Sequence, residues 1–430
     1  MTRTPTPRFA LSPLQPIALA QPIALALALA AGQAAWAEAN PYYIGVSQSF
    51  TNDSNVFRSQ NSQSSSGNTI SSTGIFGGIN QPISRQRVRL NGAVGYNSYS
   101  SNSNLNNTDY GLNAALDWST VERLSGTVSY ANNQNLANYA TPNTAQITSR
   151  NLRKTEEFSA QALLGGVTTL SFTGGYTHRS VNYSAPAYAA QEFTQDAGSL
   201  GIRYRLSGAL EVGSGLRMTR SHYPNYRPLV GGGFEADTSR RRDLDLTANW
   251  TPTGLTTVAG RVSFGRSTHS IANAQGFSGV TGSLTVNHTP AGRLRYSASL
   301  SRDTGAENTF RTFTDFNGNL VTGLVDNSQL STIARLSVGY EVTAKIQANA
   351  ALSIQKRSLV DTLSINNGGS STGTTGSDTV TGLNFGVSYA PLRNLALSCN
   401  VGYERRTTTS TLSSDYNSNR VGCTASYTLQ

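Results

Sequence analysis

The sequence predicts an all-β protein, a transmembrane antiparallel up-and-down β-barrel of about 18 strands, with 16 as the alternative count. Three observations point there. Only 13% of the 430 residues are charged and 37% are hydrophobic, both below the share usual in soluble domains. A thick two-sided core is therefore hard to build, whereas one closed sheet with an apolar and a polar face is not. Runs of nine or more residues alternate strictly between apolar and polar, and short turns alternate with long polar connections along the chain.

The strands come first. In Asn394–Arg405, Leu395, Leu397, Cys399, Val401 and Tyr403 share one face, while Ala396, Ser398, Asn400, Gly402 and Glu404 share the other. In Lys345–Arg357, Ile346, Ala348, Ala350, Leu352 and Ile354 oppose Lys345, Gln347, Asn349, Ser353, Gln355 and Arg357. In Asp109–Trp118, Tyr110, Leu112, Ala114, Leu116 and Trp118 oppose Gly111, Asn113 and Asp117. A period of two means a strand that meets a different environment on each face. The small, plentiful polar residues suit a wet lumen and leave the apolar face for lipid.

The connections come next. Short turns are expected at 80–83, 119–121, 165–168, 207–209, 251–254, 289–292, 341–344 and 390–393, where Pro and Gly recur. Long connections rich in Asn, Ser, Thr and Gly are expected at 51–67, 98–107, 133–154, 181–191, 221–238, 268–276, 304–327, 358–377 and 406–416. Nine long and eight short connections join 18 strands and fit short periplasmic turns with longer extracellular loops. Trp118, Tyr204, Trp250, Tyr340 and Tyr389 precede short turns, and Tyr96, Tyr110, Tyr130, Phe158, Tyr176 and Tyr403 lie near long loops. These read as two aromatic girdles.

Residues 1–37 read as a secretory signal peptide, which leaves 38–430 as a single barrel domain. Arg3 and Arg8 supply the positive start, Ile23–Ala31 is an uninterrupted apolar run, and Ala35-Trp36-Ala37 offers a cleavage site before Glu38. The run is too short for a membrane anchor. Export through the periplasm to the cell outer membrane follows, with outer-membrane lipid as the surrounding partner. The mature chain carries 31 Lys plus Arg against 23 Asp plus Glu, a formal charge of +8.

Chemistry is scarce. His178, His222, His269 and His288 lack metal-ligand spacing, and no hydrolase, Walker or dinucleotide motif is present. The sequence therefore predicts no enzyme, no metal and no cofactor. A rim enzyme using His178 or His222 is a distant third reading. The basic residues are spread over many strands, which argues against nucleic acid as a partner. Asn52–Asn55 reads as an Asx turn rather than a Ca²⁺ loop.

The informative charges lie on the lumen face. Alternation points Arg87, Arg89, Arg123, Arg203, Arg205, Arg261, Arg293, Arg295 and Lys345 inward, mostly beside short turns, against the inward carboxylates Asp117, Glu157, Glu211, Asp243, Asp245 and Glu404. A basic zone in the periplasmic half of the bore would guide anions. Structural pairing of most of these arginines, with a surplus left over, is the other component of the reading. Cys399 and Cys423 fall opposite each other if the last hairpin is symmetric about residue 411. They read either as a cross-strand disulfide near the closing seam, which an oxidising compartment permits, or as two small apolar thiols.

Two stretches carry resemblances. Arg420, Gly422, Ala425 and Tyr427 are spaced like the C-terminal signal read by barrel-assembly machinery, although the chain ends in Leu429-Gln430 instead of an aromatic residue. The segment from Tyr42 to Phe50, followed by Asp53, Asn55, Val56, Phe57 and Arg58, resembles the opening of the outer-membrane β-barrel porin family associated with exopolysaccharide-biosynthesis operons. That resemblance implies a partner in polysaccharide or its export apparatus. Two functions from different classes remain: a porin-like barrel passing a polar, anionic solute or exopolysaccharide, and a non-conducting structural or accessory barrel whose surface loops bind a partner.

Overall fold

The computed structural model describes residues 40–121, 123–140, 147–166, 168–228, 233–271, 276–304, 313–314, 320–321, 330–363, 372–410 and 413–429; residues 1–37, expected from sequence to be a signal peptide, lie outside these. Among the described residues, no helix is long and apolar enough to cross a membrane. The wall begins with β1 (Tyr42–Asp53), β2 (Asn68–Ile83), β3 (Gln86–Tyr99), β4 (Asn107–Ser119), β5 (Leu124–Leu136) and β6 (Leu152–Leu164). It continues with β7 (Leu170–Tyr183), β8 (Phe193–Arg205), β9 (Leu210–Pro228), β10 (Phe234–Thr253), β11 (Thr256–Thr268), β12 (Ser278–His288) and β13 (Leu294–Asp303). A two-residue hairpin, β14 (Phe313–Thr314) with β15 (Leu320–Val321), stands apart from the wall. Then come β16 (Leu330–Thr343), β17 (Ile346–Leu363), β18 (Thr372–Leu392), β19 (Leu395–Thr408) and β20 (Tyr416–Leu429).

These 18 wall strands form one antiparallel sheet in chain order, and it closes on itself. The last strand pairs with the first from Ile44 opposite Leu429 to Asp53 opposite Arg420. Among the described residues, closure leaves the wall itself without an edge strand.

The pairing register turns the period of two into two different walls. Phe50, Cys423, Cys399, Val387, Ala348, Tyr340 and Leu294 are successive partners across seven strands, and all are apolar. One residue along, the row reads Thr51, Gly422, Asn400, Gly386, Asn349, Gly339 and Arg295. The apolar rows face outward: Leu200 is 74% exposed, Leu216 61% and Phe385 59%. An apolar belt of this extent in water would be an aggregation surface. All eleven girdle aromatics fall on this outward parity.

Two expectations about connections are corrected. The turns placed at 80–83, 251–254, 341–344 and 390–393 lie mostly within the ends of strands, and the reversals occur later, at 84–85, 254–255, 344–345 and 393–394. After Trp250, Glu341 and Tyr389 the register slips, so each strand continues through a bulge before it turns. At Pro252 and Pro391 the missing N–H breaks the ladder without ending the strand. The connections placed at 221–238 and 358–377 shorten to 229–233 and 364–371, because β9, β10, β17 and β18 run on as two-stranded ribbons. A hairpin ladder needs only a partner backbone, so these extensions need no strict apolar alternation.

Cys399 and Cys423 are direct register partners on β19 and β20 and are bridged by a disulfide. Folded protein treated with a thiol reagent without reductant should therefore give no reactive group. Two reactive thiols per chain would contradict the bridge.

Candidate functional site

The bore is built from the inward rows. Gly, Ser, Thr and Asn dominate them, so the wall is polar but thin and leaves space. On the β4–β9 side this space is a bay of about 630 Å³, lined among others by Thr127, Gln161, Thr173, Gly175, Ser199, Arg203 and Arg217.

At the short-turn end, the cations named from sequence fall into two groups. Arg89 pairs with Asp117 (2.8 Å), Arg203 with Glu211 (3.5 Å), and Arg295 with Glu341. Arg261 lies deeper, between Asp303 (3.0 Å) and Asp245 (3.7 Å). The second group meets neutral acceptors. Arg87 donates to Asn80 Oδ1 (2.7 Å), Arg205 to the Gly166 carbonyl (2.9 Å), Arg293 to the Val342 carbonyl (2.8 Å) and Lys345 to the Pro391 carbonyl (2.9 Å). Their charge is uncompensated by a carboxylate among the described residues. They stand on or beside β3, β8, β13 and β17 and so are distributed around the ring. Arg123 sits in the turn between β4 and β5.

Further up the bore, three arginines and three aspartates interlock across β9, β10, β11 and β13. Arg217 reaches Asp245 (3.0 Å) and Asp243 (3.6 Å); Arg241 reaches Asp243 (2.7 Å) and Asp303 (3.4 Å); Arg261 completes the set. Arg241 also donates to Thr281 and Thr304 and lies 5.0 Å from the Phe277 ring centroid. Side chains at one depth on neighbouring strands meet this way only when their register agrees. Arg217 and Arg241 share the inward parity, so alternation along their strands was the signal for these two.

At the outer end the bore narrows to a cap. Asp53, at the end of β1, accepts from the Asn55 N–H (3.0 Å), Ser418 Oγ (2.8 Å), Arg58 (3.0 Å) and Arg420 (2.9 Å). Asn55 Nδ2 donates to the Ser59 and Asn417 carbonyls, and Asn55 Oδ1 accepts the Ser59 N–H (2.8 Å). Arg58 takes a left-handed φ of 54°, which a non-glycine residue holds only when its surroundings fix it. Here its guanidinium is clamped between Asp53 and Glu404 (3.2 Å). Burial disfavours the charged guanidinium, yet the two carboxylates hold its pKa above the ordinary arginine value. Glu404 also accepts from Tyr416 Oη (2.8 Å), and Tyr416 lies under Arg406, which joins Arg357 at Asp378.

This polar lock points the loop inward. Val56 and Phe57 pack with Tyr99, Leu105 and Tyr139, and the Phe57 and Tyr139 rings meet edge to face at 5.2 Å. Arg406 on β19 donates to the carbonyl of Ala140 in the loop after β5. Strands β4, β3, β2, β1 and β20 lie between those two, so the described residues just after β5 reach across the outer mouth. Tyr188 Oη, in the loop after β7, reaches the Asn138 carbonyl (3.4 Å). The cap residues Leu105, Tyr139 and Tyr188 were not foreseen, because loop composition does not say which way a loop folds.

The remaining sequence candidates sit on the wall. Arg420 and Gly422 face inward on the seam strand, and a Cβ at Gly422 would come within 2.7 Å of Thr51 Oγ1. Ala425 and Tyr427 face outward, and Tyr427 Oη accepts from Asn394 (2.6 Å). His178 and His222 point outward, against Asp196 (2.8 Å) and Thr238 (3.2 Å). Among the described residues, no group of three His, Cys, Asp or Glu has metal-holding geometry.

No protein-family model matches the chain, and no curated protein matches it. Among solved structures it is similar to OccK5 (OpdH) of Pseudomonas aeruginosa, at 13% identity over 90% of this chain and 98% of that one, with a TM-score of 0.40. It is similar to OccK2 (OpdF) of Pseudomonas aeruginosa, solved with glucuronate, at 10% identity over 91% and 98%, TM-score 0.45. It is also similar to the siderophore receptor PirA from Acinetobacter baumannii, at 9% identity over 91% and 81%, TM-score 0.44.

Proposed function

We propose that the chain is an outer-membrane channel that admits polar, anionic solutes through a basic periplasmic mouth. The closed wall with an apolar, aromatic-bordered outer face supports the membrane setting. The observation that carries the transport reading is the ring of Arg87, Arg205, Arg293 and Lys345, which meets neutral acceptors. Such a ring raises the local concentration of anions. The resemblance at Asp53–Arg58 adds exopolysaccharide as a solute and its export apparatus as partner, and the spacing of Arg420, Gly422, Ala425 and Tyr427 adds barrel-assembly machinery as the route into the membrane.

Planar-bilayer recording of the refolded protein tests this. In a salt gradient, the reversal potential should report anion preference. Replacing Arg87, Arg205, Arg293 and Lys345 together by Glu should move the permeability ratio towards cations by about tenfold. Replacing the carboxylate-paired Arg89 by Gln should change it little. Identical selectivity in the fourfold variant and the wild type would remove the guiding role. A second reading, a non-conducting accessory barrel, is favoured by the packed outer cap and predicts electrical silence.

A further inference from the structure

We propose that the outward-facing arginines Arg220, Arg240, Arg242 and Arg266 form a binding surface for the phosphate groups of a phosphorylated glycolipid in the outer leaflet. The proposal rests on the membrane-barrel reading above and concerns the outer wall instead of the bore.

Each of these strands presents an apolar run outward and then switches abruptly to arginine. On β9, Leu216 and Met218 precede Arg220; on β10, Leu244 is followed towards the loop by Arg242 and Arg240; on β11, Phe264 precedes Arg266. Met218 is 60% exposed and Phe264 49%, and all four arginines are exposed. The turn-side ends of the same outward rows hold Val212, Trp250 and Val258. The cations therefore mark one end of the apolar belt, the end bearing the long loops.

The register sharpens the point. Arg220 stands directly opposite Arg240, and Arg242 directly opposite Arg266. Like charges directly opposite repel. The inward arginines of these strands are matched by Asp243, Asp245 and Asp303. Those acids sit on the wrong parity to help outside, because a one-residue step changes the face. Among the described residues, the carboxylate nearest the cluster in the register is Asp196, opposite Arg220, and it is already engaged by His178 (2.8 Å) and Tyr176 Oη (2.7 Å). The cluster is thus a zigzag of four guanidinium groups across β9, β10 and β11 at the head-group level, made of two opposed pairs with Asp196 as the one carboxylate beside it among the described residues. Guanidinium forks bind phosphate oxygens in pairs, and a lipid anchored beside the apolar belt would bring phosphate to that height.

The test uses the refolded full barrel in detergent micelles, titrated with bisphosphorylated lipid A and analysed by native mass spectrometry. Wild type should retain lipid A at least tenfold more strongly than a variant carrying R220Q, R240Q, R242Q and R266Q. Lipid A stripped of phosphate should bind both alike, and inorganic phosphate should compete only at high concentration. The matching Arg→Lys set should retain most of the binding, and R242Q/R266Q alone should lose part of it. K356Q with R405Q, which lie outside the cluster, should behave as wild type. Equal retention by the folded fourfold variant and the wild type would overturn the proposal. Failure of the membrane reading would look different: the wild type would stay monodisperse without detergent.

Discussion

Asp53→Ala should lower the stability of the barrel by about 3–5 kcal/mol, the cost typical of removing one partner from a buried ion pair. Asp53 is 1% exposed, and four donors converge on it, two from the loop after β1 and two from β20. Its removal leaves Arg58 with Glu404 as its one carboxylate partner among the described residues, in a left-handed conformation that the lock had held. It also releases Ser418 and Arg420 from the last strand, so the loss falls on the seam where the first and last strands close the ring. Urea unfolding in micelles, followed by the gel shift between folded and heated protein, measures this. Arg420→Ala is the internal comparison. Its side chain is half exposed, and exposed pairs contribute about 1 kcal/mol or less. Equal losses for the two variants would contradict the placement of Asp53 at the hub.

Phe57→Ala combined with Tyr139→Ala should open the outer mouth. Phe57 is 4% exposed and Tyr139 5%, and burial of one such ring contributes about 1.5–3 kcal/mol, with roughly 0.5–1.5 kcal/mol more for the edge-to-face contact. Without both rings, the loops after β1 and β5 lose the apolar contact that holds them across the bore. A severalfold rise in single-channel conductance is the expected result, with wall stability nearly unchanged because the strand ladders do not involve these side chains. If the wild type is silent and the double variant conducts, the cap is the gate and the accessory-barrel reading applies to the capped state. If both are silent, the transport reading fails.

The two variants probe features of different legibility. The residues from Asp53 to Arg58 stood out in the sequence through a resemblance, but their work was hidden. Asp53 meets residues of the last strand more than 360 positions away, a proximity created only by closure. The disulfide partners were easier to place, because both flank one hairpin and hairpin geometry is local.

The sequence by itself determined the two faces of the wall. Side-chain direction in a strand reverses at every residue, so alternation alone places Leu397 outward and Ser398 inward, and the inward parity of Arg203, Arg261 and Arg295 follows. It narrowed the strand count to 18 or 16, since long polar connections and short turns leave local marks, and the closed sheet has 18 among the described residues. Only the tertiary structure decided which charges meet. Arg89 finds Asp117 while Arg87 finds an amide, and Arg241 interlocks with Asp243 and Asp303, because cross-strand register is fixed by the whole ring. It alone decided that the loops after β1 and β5 fold across the mouth. That direction depends on contacts among Phe57, Leu105 and Tyr139, which come together only when the sheet has closed.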